Sequence, residues 1–358
     1  MKKIGIIIGT RPEIIKMSVI INLCEKKNLN YFVIHTGQHY FYNMDKIFFE
    51  NLGLPDPGYN LDVGSGTHGK QTGRILEMVE KVLIKEKPDV ILVQGDTNTV
   101  FAGALAAAKL DMRVGHVEAG LRSYDRNMPE EINRVLTDHI SDYLFCPTEM
   151  SKEMALMEGI DPDKIYVTGN TIVDAVIRNK KLAMKKSKIL KNLDLDKGKY
   201  FLVTVHRQGN VDFKENLKKI LSVLEKIYRK YKIPMVYPVH PRTKKRMKEF
   251  NLKTPKGVRL IEPLGYLDFL KLESNAKLVL TDSGGIQQEA CTLKIPCVTL
   301  RENTESPETV EVGSNIIAGL EIDKIFKSIN QMLEKNNDWR NPFGDGTASK
   351  QIIEIILA

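Results

Sequence analysis

Two carboxylates stand directly after strand-like apolar runs that follow one another along the chain. Asp96 comes shortly after the run at residues 90–93, and Glu118 follows the next run, at residues 113–117. In a doubly wound α/β sheet, ligands bind outside the carboxyl ends of the strands. The two acids are therefore expected to face one substrate, and that arrangement suits proton transfer.

Each candidate acid also has an ordinary structural interpretation. Asp96 could cap the helix that starts near Asn98, and Glu130 could be a first-turn acid that favours the helix dipole. Glu118 precedes Ala119-Gly120 and has no helix to cap, so burying its charge without a purpose would cost several kcal/mol. A chemical role is therefore hardest to dismiss for Glu118.

The elements that must hold these acids follow from the alternation of short β-branched runs with amphipathic stretches, which is typical of parallel βαβ units. In the first half, this pattern predicts strands at residues 3–8, 31–35, 89–93, 113–117, 143–146 and 164–167. It predicts helices between most of them, at residues 13–27, 74–85, 100–109, 131–141 and 149–158. The second half predicts strands at 200–205, 235–239, 258–261, 277–280 and 296–299. We therefore predict an α/β protein with two Rossmann-like, doubly wound domains.

Further polar side chains fall just past predicted strand ends, as a catalytic cleft requires. In the first half they are Arg11, Gln38 and His39, and in the second half they are His206, Arg207, His240, Asp282 and Ser283. Polar residues from both halves are therefore expected to face one interdomain cleft.

These positions also admit two interpretations each. Ser283-Gly284-Gly285 either starts a helix with a tight turn or lets backbone N–H groups approach a phosphate. Arg11 is either surface charge or a guanidinium that holds a diphosphate. His206 is either a structural histidine or, beside Arg207, a partner of an anionic leaving group.

Composition limits the class of protein. The 358 residues allow about two domains, and the apolar runs are too short for a membrane span or a secretory signal, which places the protein in the cytoplasm. The net charge of +8 is spread along helical faces, and its densest stretch, residues 180–199, predicts a solvated linker helix rather than a nucleic-acid site. The four cysteines have no metal-binding spacing and predict free buried thiols.

Nearly the whole chain resembles the non-hydrolysing UDP-N-acetylglucosamine 2-epimerases, which have the two-domain GT-B fold. The ordered matches are Gly9-Thr10-Arg11-Pro12-Glu13 with Lys16, Thr36-Gly37-Gln38-His39, Gly95-Asp96-Thr97, Gly115-His116-Val117-Glu118-Ala119-Gly120-Leu121-Arg122, Pro129-Glu130-Glu131 with Asn133-Arg134, Thr168-Gly169-Asn170, Tyr237-Pro238-Val239-His240, Thr281-Asp282-Ser283-Gly284-Gly285-Ile286-Gln287 with Glu289, and Asn341-Pro342-Phe343-Gly344-Asp345-Gly346.

The resemblance implies interconversion of UDP-GlcNAc and UDP-ManNAc through elimination of UDP to 2-acetamidoglucal and re-addition, without NAD or metal. It implies roles for Asp96, Glu118 and Glu130 in proton transfer and sugar binding, with Lys16 and Arg134 as nearby cations. Diphosphate and uridine would bind the second half, at Ser283, Gly284, Gly285 and Glu289, with His240 nearby and Arg11 and His206 on the diphosphate.

The resemblance also implies a domain organisation and a homodimer. Residues 1–170 would form the domain with the catalytic acids, rejoined by a final helix at 344–358, and residues 171–343 would bind UDP. The hinge is expected near Gly169-Asn170. Cell-surface polysaccharide synthesis is the process that such enzymes supply.

The chain departs from the family pattern at several places. Gly209 and Ser306 stand where the family usually has Glu and Arg, and they are either a compensated pair or a sign of altered substrate contacts. Phe41 and Lys70 stand where bacterial relatives have residues of a second, activating UDP-GlcNAc site. Gln38, His39, Gln71 and Arg207 of that allosteric set remain.

The same residues bear on four other functions. A GT-B glycosyltransferase has no use for acids on both faces of C2, and hydrolysing epimerases differ at the first loop. A nucleotide-sugar sensor would tolerate loss of Asp96 or Glu118. An NAD dehydrogenase is disfavoured because no G-x-G-x-x-G follows the first strand. A 2-epimerase of a related UDP-acetamido sugar, or a GT-B glycosyltransferase, stays open as the alternative function.

Overall fold

The computed structural model describes residues 2–38 and 42–358 and divides the chain into two compact units. Unit one comprises Met1–Ala175 and Phe343–Ala358, and unit two comprises Val176–Pro342. Within the described residues, each unit is built on one parallel β-sheet. The predicted α/β class with two Rossmann-like halves is confirmed.

Unit one alternates strands with helices along the chain. Its elements, up to the helix that reaches unit two, are β1 (Ile4–Ile8), α1 (Arg11–Lys26), β2 (Tyr31–His35), α2 (Tyr42–Leu52), β3 (Tyr59–Asn60), α3 (His68–Glu86), β4 (Val90–Gln94), α4 (Asn98–Lys109), β5 (Arg113–Val117), α5 (Pro129–Ile140), β6 (Tyr143–Cys146), α6 (Glu149–Met157), a 3-10 turn (Pro162–Lys164), β7 (Ile165–Val167) and α7 (Thr171–Lys186).

Unit two repeats the same plan. Its elements are α8 (Ile189–Asn192), β8 (Phe201–Thr204), α9 (Gln208–Val211), α10 (Lys214–Tyr231), β9 (Met235–Pro238), α11 (Pro241–Glu249), β10 (Val258–Ile261), α12 (Tyr266–Glu273), β11 (Leu278–Thr281), α13 (Gly284–Leu293), β12 (Cys297–Thr299), α14 (Glu308–Glu311), β13 (Asn315–Ile317) and α15 (Ile322–Glu334). A last helix, α16 (Ala348–Leu357), belongs to unit one.

The strand orders place a topological switch point in each unit. In the described part of the chain the sheets run β3-β2-β1-β4-β5-β6-β7 and β10-β9-β8-β11-β12-β13, with parallel neighbours. The order reverses between β1 and β4 in unit one and between β8 and β11 in unit two. A crevice forms outside the carboxyl ends of the strands at such a point, so both candidate regions lie where a ligand is expected.

Burial explains why these segments become central strands. Every residue of β1 and β4 is buried, as expected for a parallel sheet that is covered on both faces. The alanine-rich helix α4 packs closely on this sheet, because a Cβ at Gly103 would lie only 2.9 Å from Ile7 Cδ1. In unit two, α10 buries one stripe of leucine, isoleucine and valine against the sheet and leaves its lysines outside.

The C-terminal helix is held to unit one by a cap from a distant residue. The carboxylate of Asp174 accepts hydrogen bonds from Ser349 N at 2.9 Å and Ser349 Oγ at 2.6 Å, and another from Ala348 N at 3.3 Å. These bonds satisfy N–H groups of the first turn of α16, which have no partner within the helix. Helix α16 packs against α1.

The prediction of one solvated linker helix over residues 180–199 is wrong in part. Helix α7 ends at Lys186, and the short helix α8 follows it. Ile189 and Leu193 are buried in the core of unit two with strands β8 and β11. The lysines dominate the composition of this stretch, but a few apolar residues decide its packing.

Two short strands were missed in the sequence. Strand β3 has two residues and β13 has three, too few to show a period-two pattern. All four cysteines are free and buried, which confirms the prediction for them. In the part of the chain that the structure describes, helices long and apolar enough to cross a bilayer are absent.

Candidate active site

A pocket in unit one opens beside the switch point between β1 and β4. The residues that line it come from the loops after β1, β4 and β5 and from helices α1 and α5: Thr10, Pro12, Glu13, Lys16, Gln94, Gly95, Asp96, Thr97, Glu118, Leu121 and Arg134. Four of these residues, Asp96, Glu118, Lys16 and Arg134, are grouped together by the family resemblance, and the structure brings them into one pocket.

Glu118 is held in the pocket by two donors and by an unusual backbone conformation. Its Oε2 accepts a hydrogen bond from Lys16 Nζ at 2.5 Å and another from Gln94 Nε2 at 2.6 Å, and its side chain is only 8% exposed. Its φ of 71° lies in the left-handed region, which costs about 1–2 kcal/mol for a residue with a Cβ. Lys16 therefore supplies a counter-charge to Glu118 in this buried place.

Asp96 is paired with a different cation. Its Oδ2 accepts a hydrogen bond from Arg134 NH2 at 2.5 Å, and its backbone carbonyl accepts one from Asn133 Nδ2 at 3.0 Å. The alternative interpretation of Asp96 as the cap of α4 does not hold, because Thr97 is the cap residue and its hydroxyl accepts from Val100 N. The carboxylate is instead turned into the pocket, with its side chain 35% exposed.

The two acids at the start of α5 have different surroundings. Glu130 is exposed and lies outside the lining of this pocket. Glu131 is buried, and its carboxylate accepts hydrogen bonds from Ser123 N and Tyr124 N and contacts Arg134 NH1 at 3.1 Å. Glu131 therefore fixes the loop after β5 and the position of Arg134.

Glu13 is a site residue that the sequence reasoning did not single out. Its buried carboxylate accepts hydrogen bonds from Gly9 N at 2.7 Å, Thr10 Oγ1 at 2.7 Å and Thr97 Oγ1 at 2.8 Å. It thus ties the loop after β1 to the loop that carries Asp96. Burial raises the pKa of Glu13 to about 7, an effect that the three hydrogen bonds oppose and the charge of Asp96 strengthens.

In unit two, a buried aspartate organises the loop after β8. Asp282, which follows β11, accepts hydrogen bonds from His206 N at 3.1 Å, Arg207 N at 2.9 Å and Asn210 Nδ2 at 3.0 Å. The sequence placed Asp282 at a strand end but did not predict this role. Its carboxylate joins the two loops that flank the switch point of this sheet.

The two predicted histidines of unit two lie together, with ring centroids 5.7 Å apart. Burial lowers the pKa of His206, and so do the charges of Arg207 and Arg242, whereas Asp282 opposes them. Burial, His206 and Arg242 likewise lower the pKa of His240. His240 Nδ1 accepts a hydrogen bond from Arg242 N at 3.2 Å, so the pair offers neutral rings rather than fixed charges.

The glycine pair begins helix α13. Ser283 is the cap residue, although its side chain makes no capping hydrogen bond, and Gly284 and Gly285 are the first two residues of the helix. Close by, Glu305 forms ion pairs with Arg301 at 2.8 Å and with Arg207 at 3.3 Å. Burial alone would raise the pKa of Glu305, but these two arginines outweigh it and lower the pKa to about 2.

The remaining predicted site residues are placed as follows. Glu289 is buried on α13 and interacts with the buried side chains of Tyr266 and Glu273. The guanidinium of Arg11 stacks on the ring of Phe48 at 4.7 Å and lies outside the lining of the unit-one pocket.

Gln38 and Gln71 are buried together in unit one. Gln71 Nε2 donates to Gln38 O at 2.7 Å, and Gln38 Oε1 accepts from Thr99 N at 3.0 Å. Any ligand that binds these amides directly must replace such bonds. His39 and Phe41 lie outside the described residues.

Two positions that depart from the family pattern, 209 and 306, lie in unit two. A Cβ at Gly209 would meet open space, whereas Ser306 is buried and its hydroxyl accepts from Gln288 Nε2 at 3.0 Å. The arginine charge expected at position 306 is thus replaced by a neutral buried contact. Among the described residues, no cluster of three or more histidine, cysteine, aspartate or glutamate side chains could hold a metal ion.

The raised pKa of Glu13 predicts a pH dependence of stability. Because the pKa rises from 4.5 to about 7 on folding, the stabilisation from this group is complete below pH 4.5 and is lost as the pH rises through 7. Glu13→Gln keeps an acceptor for Gly9 N, since the threonine hydroxyls can reverse. Between pH 4.5 and about 7.5, urea unfolding should show the variant gaining roughly 3 kcal/mol relative to wild type.

The control for this measurement is Glu153→Gln, which changes an exposed glutamate of α6. It should show no such gain. A difference between Glu13→Gln and wild type that is constant across the pH range would contradict a proton on buried Glu13.

Comparison with known proteins gives the family. A family model described as UDP-N-acetylglucosamine 2-epimerase matches residues 22–357. The UDP-N-acetylglucosamine 2-epimerase of Methanocaldococcus jannaschii is 59% identical over 361 residues, which cover 99% of this chain and 98% of the relative. A Pseudomonas aeruginosa relative, UDP-2,3-diacetamido-2,3-dideoxy-D-glucuronate 2-epimerase, is 42% identical and covers 99% of both chains.

The solved structures agree with this result. The crystal structure of the M. jannaschii enzyme in complex with UDP-GlcNAc and UDP has a TM-score of 0.92 to this chain, with 99% of each chain covered. The GT-B-type architecture predicted from the sequence is therefore the one observed. The chain belongs to the family of UDP-N-acetylglucosamine 2-epimerases.

Proposed function

We propose that this chain is a non-hydrolysing UDP-GlcNAc 2-epimerase, an isomerase that interconverts UDP-GlcNAc and UDP-ManNAc. The observation that carries the proposal is the pocket in which two carboxylates, Asp96 and Glu118, each have a separate cationic partner. A 59% identical relative with the same name, solved with UDP-GlcNAc and UDP, supports the choice of substrate.

The chemistry explains why two acids are needed. The hydrogen on C2 of the sugar is not next to a carbonyl and is barely acidic, so direct abstraction by a carboxylate is unfavourable. Departure of UDP from C1 must precede or lead the loss of this proton, because positive character at C1 acidifies it. Anti elimination then gives UDP and 2-acetamidoglucal, and syn re-addition with protonation from the opposite face gives the epimer.

Asp96 and Glu118 are the groups that we assign to the two proton transfers. Both approach the pocket from neighbouring strands, β4 and β5, and differ in their partners. Lys16 is the counter-charge of Glu118, and Arg134 is the counter-charge of Asp96. Glu130, which is exposed at the start of α5, is assigned to sugar binding rather than to proton transfer.

The leaving group is assigned to unit two. The free N–H groups at the start of α13, at Gly284 and Gly285, suit a phosphate, and the neutral ring of His206 can donate a hydrogen bond to an oxygen that gains charge. Glu289 is assigned to the ribose hydroxyls. Arg11 would supply a further cation for the diphosphate, and His240 would orient the ring of His206.

The substituents at C3 and C6 of the sugar distinguish two possible substrates, because a 42% identical relative is named for a diacetamido-glucuronate substrate. UDP-GlcNAc is favoured by the more similar relative. We also propose that the enzyme works in the cytoplasm, where its four buried thiols stay reduced, and feeds cell-surface polysaccharide synthesis.

Deuterium incorporation tests the reaction directly. In D2O the wild-type protein should convert UDP-GlcNAc to a mixture with UDP-ManNAc, and mass spectrometry and NMR should show deuterium at C2 of the product, with little free sugar. Deuterium enters because the added proton comes from an acid in exchange with solvent. Free ManNAc as the main product would indicate a hydrolase, and a lack of both exchange and epimer would refute the proposal.

Removal of each acid tests the residue assignment. Asp96→Asn and Glu118→Gln should each lower kcat by about a hundredfold or more, because an amide cannot transfer the proton. Glu77→Gln, an exposed change in the same unit, serves as the control. Activity within a few-fold of wild type would remove the acid concerned from proton transfer, and residual C2 exchange in only one epimer would show which face each acid serves.

The homodimer expected from the resemblance is supported by exposed apolar residues of α5. Ile132 and Leu136 lie one turn apart and are 46% and 42% exposed. Burial of such side chains contributes about 1.5–3 kcal/mol each.

We expect the wild type to sediment as a dimer and the Ile132→Glu/Leu136→Glu variant as a monomer, whereas Met157→Glu, at a 70% exposed position on α6, stays dimeric. A monomeric wild type, or a dimeric double variant, would exclude this interface.

A further inference from the structure

A buried histidine lies behind the two acids of the pocket and has no role in the steps above. His116, on β5, is completely buried. Its Nδ1 is 2.6 Å from Asp138 Oδ1 on α5, and its Nε2 is 2.7 Å from the carbonyl oxygen of Gly95. Both ring nitrogens therefore face acceptors at hydrogen-bonding distance.

This geometry limits the ways in which the ring can form hydrogen bonds. A neutral imidazole carries one N–H, so one of its nitrogens would direct a lone pair at a carboxylate or carbonyl oxygen. The remaining alternative, a protonated Asp138, is disfavoured because Asp138 Oδ2 also accepts from Gly120 N at 3.1 Å and contacts Arg122 NH1 at 2.7 Å. A ring with a proton on each nitrogen would donate to both oxygens.

The charges around the ring balance. Arg122 contacts Asp138 on one side and Glu158, at the end of α6, on the other, at 2.6 Å. The thiol of Cys146, on β6, also neighbours Asp138, and burial raises its pKa to about 12, so it stays neutral. With a proton on each ring nitrogen, His116 and Arg122 would be two cations facing two anions, Asp138 and Glu158. Burial would raise the pKa of Asp138, but the neighbouring His116 and Arg122 outweigh it and lower that pKa.

The ring is connected to the pocket through the backbone. Gly95, whose carbonyl accepts from His116, directly precedes Asp96 and has a φ of 85°, so this turn is not a regular strand end. Two residues after His116 on the same strand comes Glu118. A donor that fixes the Gly95 carbonyl therefore fixes the direction in which Asp96 leaves the sheet.

We propose that His116 is a positioning residue, a buried imidazolium that fixes the Gly95 carbonyl, orients Asp96 toward Arg134, and places positive charge behind the acid pair. The kinetic consequence rests on the proposed epimerase function, whereas the protonation state does not. The two parts are therefore tested by separate measurements.

The protonation state is tested on the wild-type protein labelled with 15N at histidine. The His116 signals are identified by their loss in His116→Gln. At about pH 7.5, where an ordinary imidazole is neutral, two-bond 15N–1H correlation NMR should show protons on both nitrogens. A neutral tautomer of His116 at that pH would overturn the proposal, whatever the enzyme's activity.

The kinetic test compares charge changes in the same pair. His116→Gln should lower kcat for UDP-GlcNAc about tenfold or more, with KM changed less than about threefold, because the ligand contacts of unit two are intact. Loss of the positive charge should also move the acidic limb of the kcat–pH profile to higher pH, since a carboxylate nearby becomes easier to protonate.

The double variant His116→Gln/Asp138→Asn removes one cation and one anion together, so it should return the acidic limb toward its wild-type position. His139→Gln, a change of an exposed histidine that contacts the same Glu158, is the matched control and should leave kcat and the limb unchanged. An unshifted limb in His116→Gln, or one that the double variant fails to restore, would reduce His116 to a packing residue and overturn the proposal. If His116→Gln does not fold, Asp138→Asn alone provides the test. Because this variant removes an anion, it should move the acidic limb of the kcat–pH profile to lower pH.

Discussion

The pairing of each pocket acid with its own cation is the interaction on which the rest of the unit-one site depends. Glu118 and Asp96 follow adjacent strands and line one pocket, so their two negative charges repel one another. The separate contacts with Lys16 and Arg134 remove this conflict, because each acid keeps a local counter-charge. Two acids with different surroundings can then take different parts in one reaction.

Several residues around the pocket have an unusual backbone conformation. Glu118, Gly95 and Gly120 all have positive φ, and a Cβ at Gly120 would lie 2.1 Å from Ser151 O. Such conformations persist only where the surroundings impose them. Here those surroundings are the hydrogen bonds of Glu13 to the loops after β1 and β4, of Glu131 to the loop after β5, and of Asp138 to Gly120. Buried carboxylates that do not react hold in place the ones that we assign to the reaction.

Much of this arrangement was predictable from the sequence, and the exceptions have physical causes. Strand ends were found because parallel strands are continuous apolar runs, and this placed Asp96, Glu118 and His206 correctly at a sheet edge. The roles of Glu13 and Asp282 were not predicted because they lie in bonds to loops remote in sequence, such as those of Thr97 and His206. Glu130 and Glu131 are adjacent in sequence, and only the direction of the first turn of α5 shows that Glu131 is buried.

The central claim is that the bond between C1 and the diphosphate oxygen breaks during epimerisation. Positional isotope exchange tests this most directly, with UDP-GlcNAc that carries 18O in the bridge between C1 and the β-phosphorus. The account predicts that 31P NMR will show 18O moving from the bridge to the non-bridging positions of the β-phosphate in recovered substrate and in epimer. Epimerisation with all of the 18O retained in the bridge would contradict it.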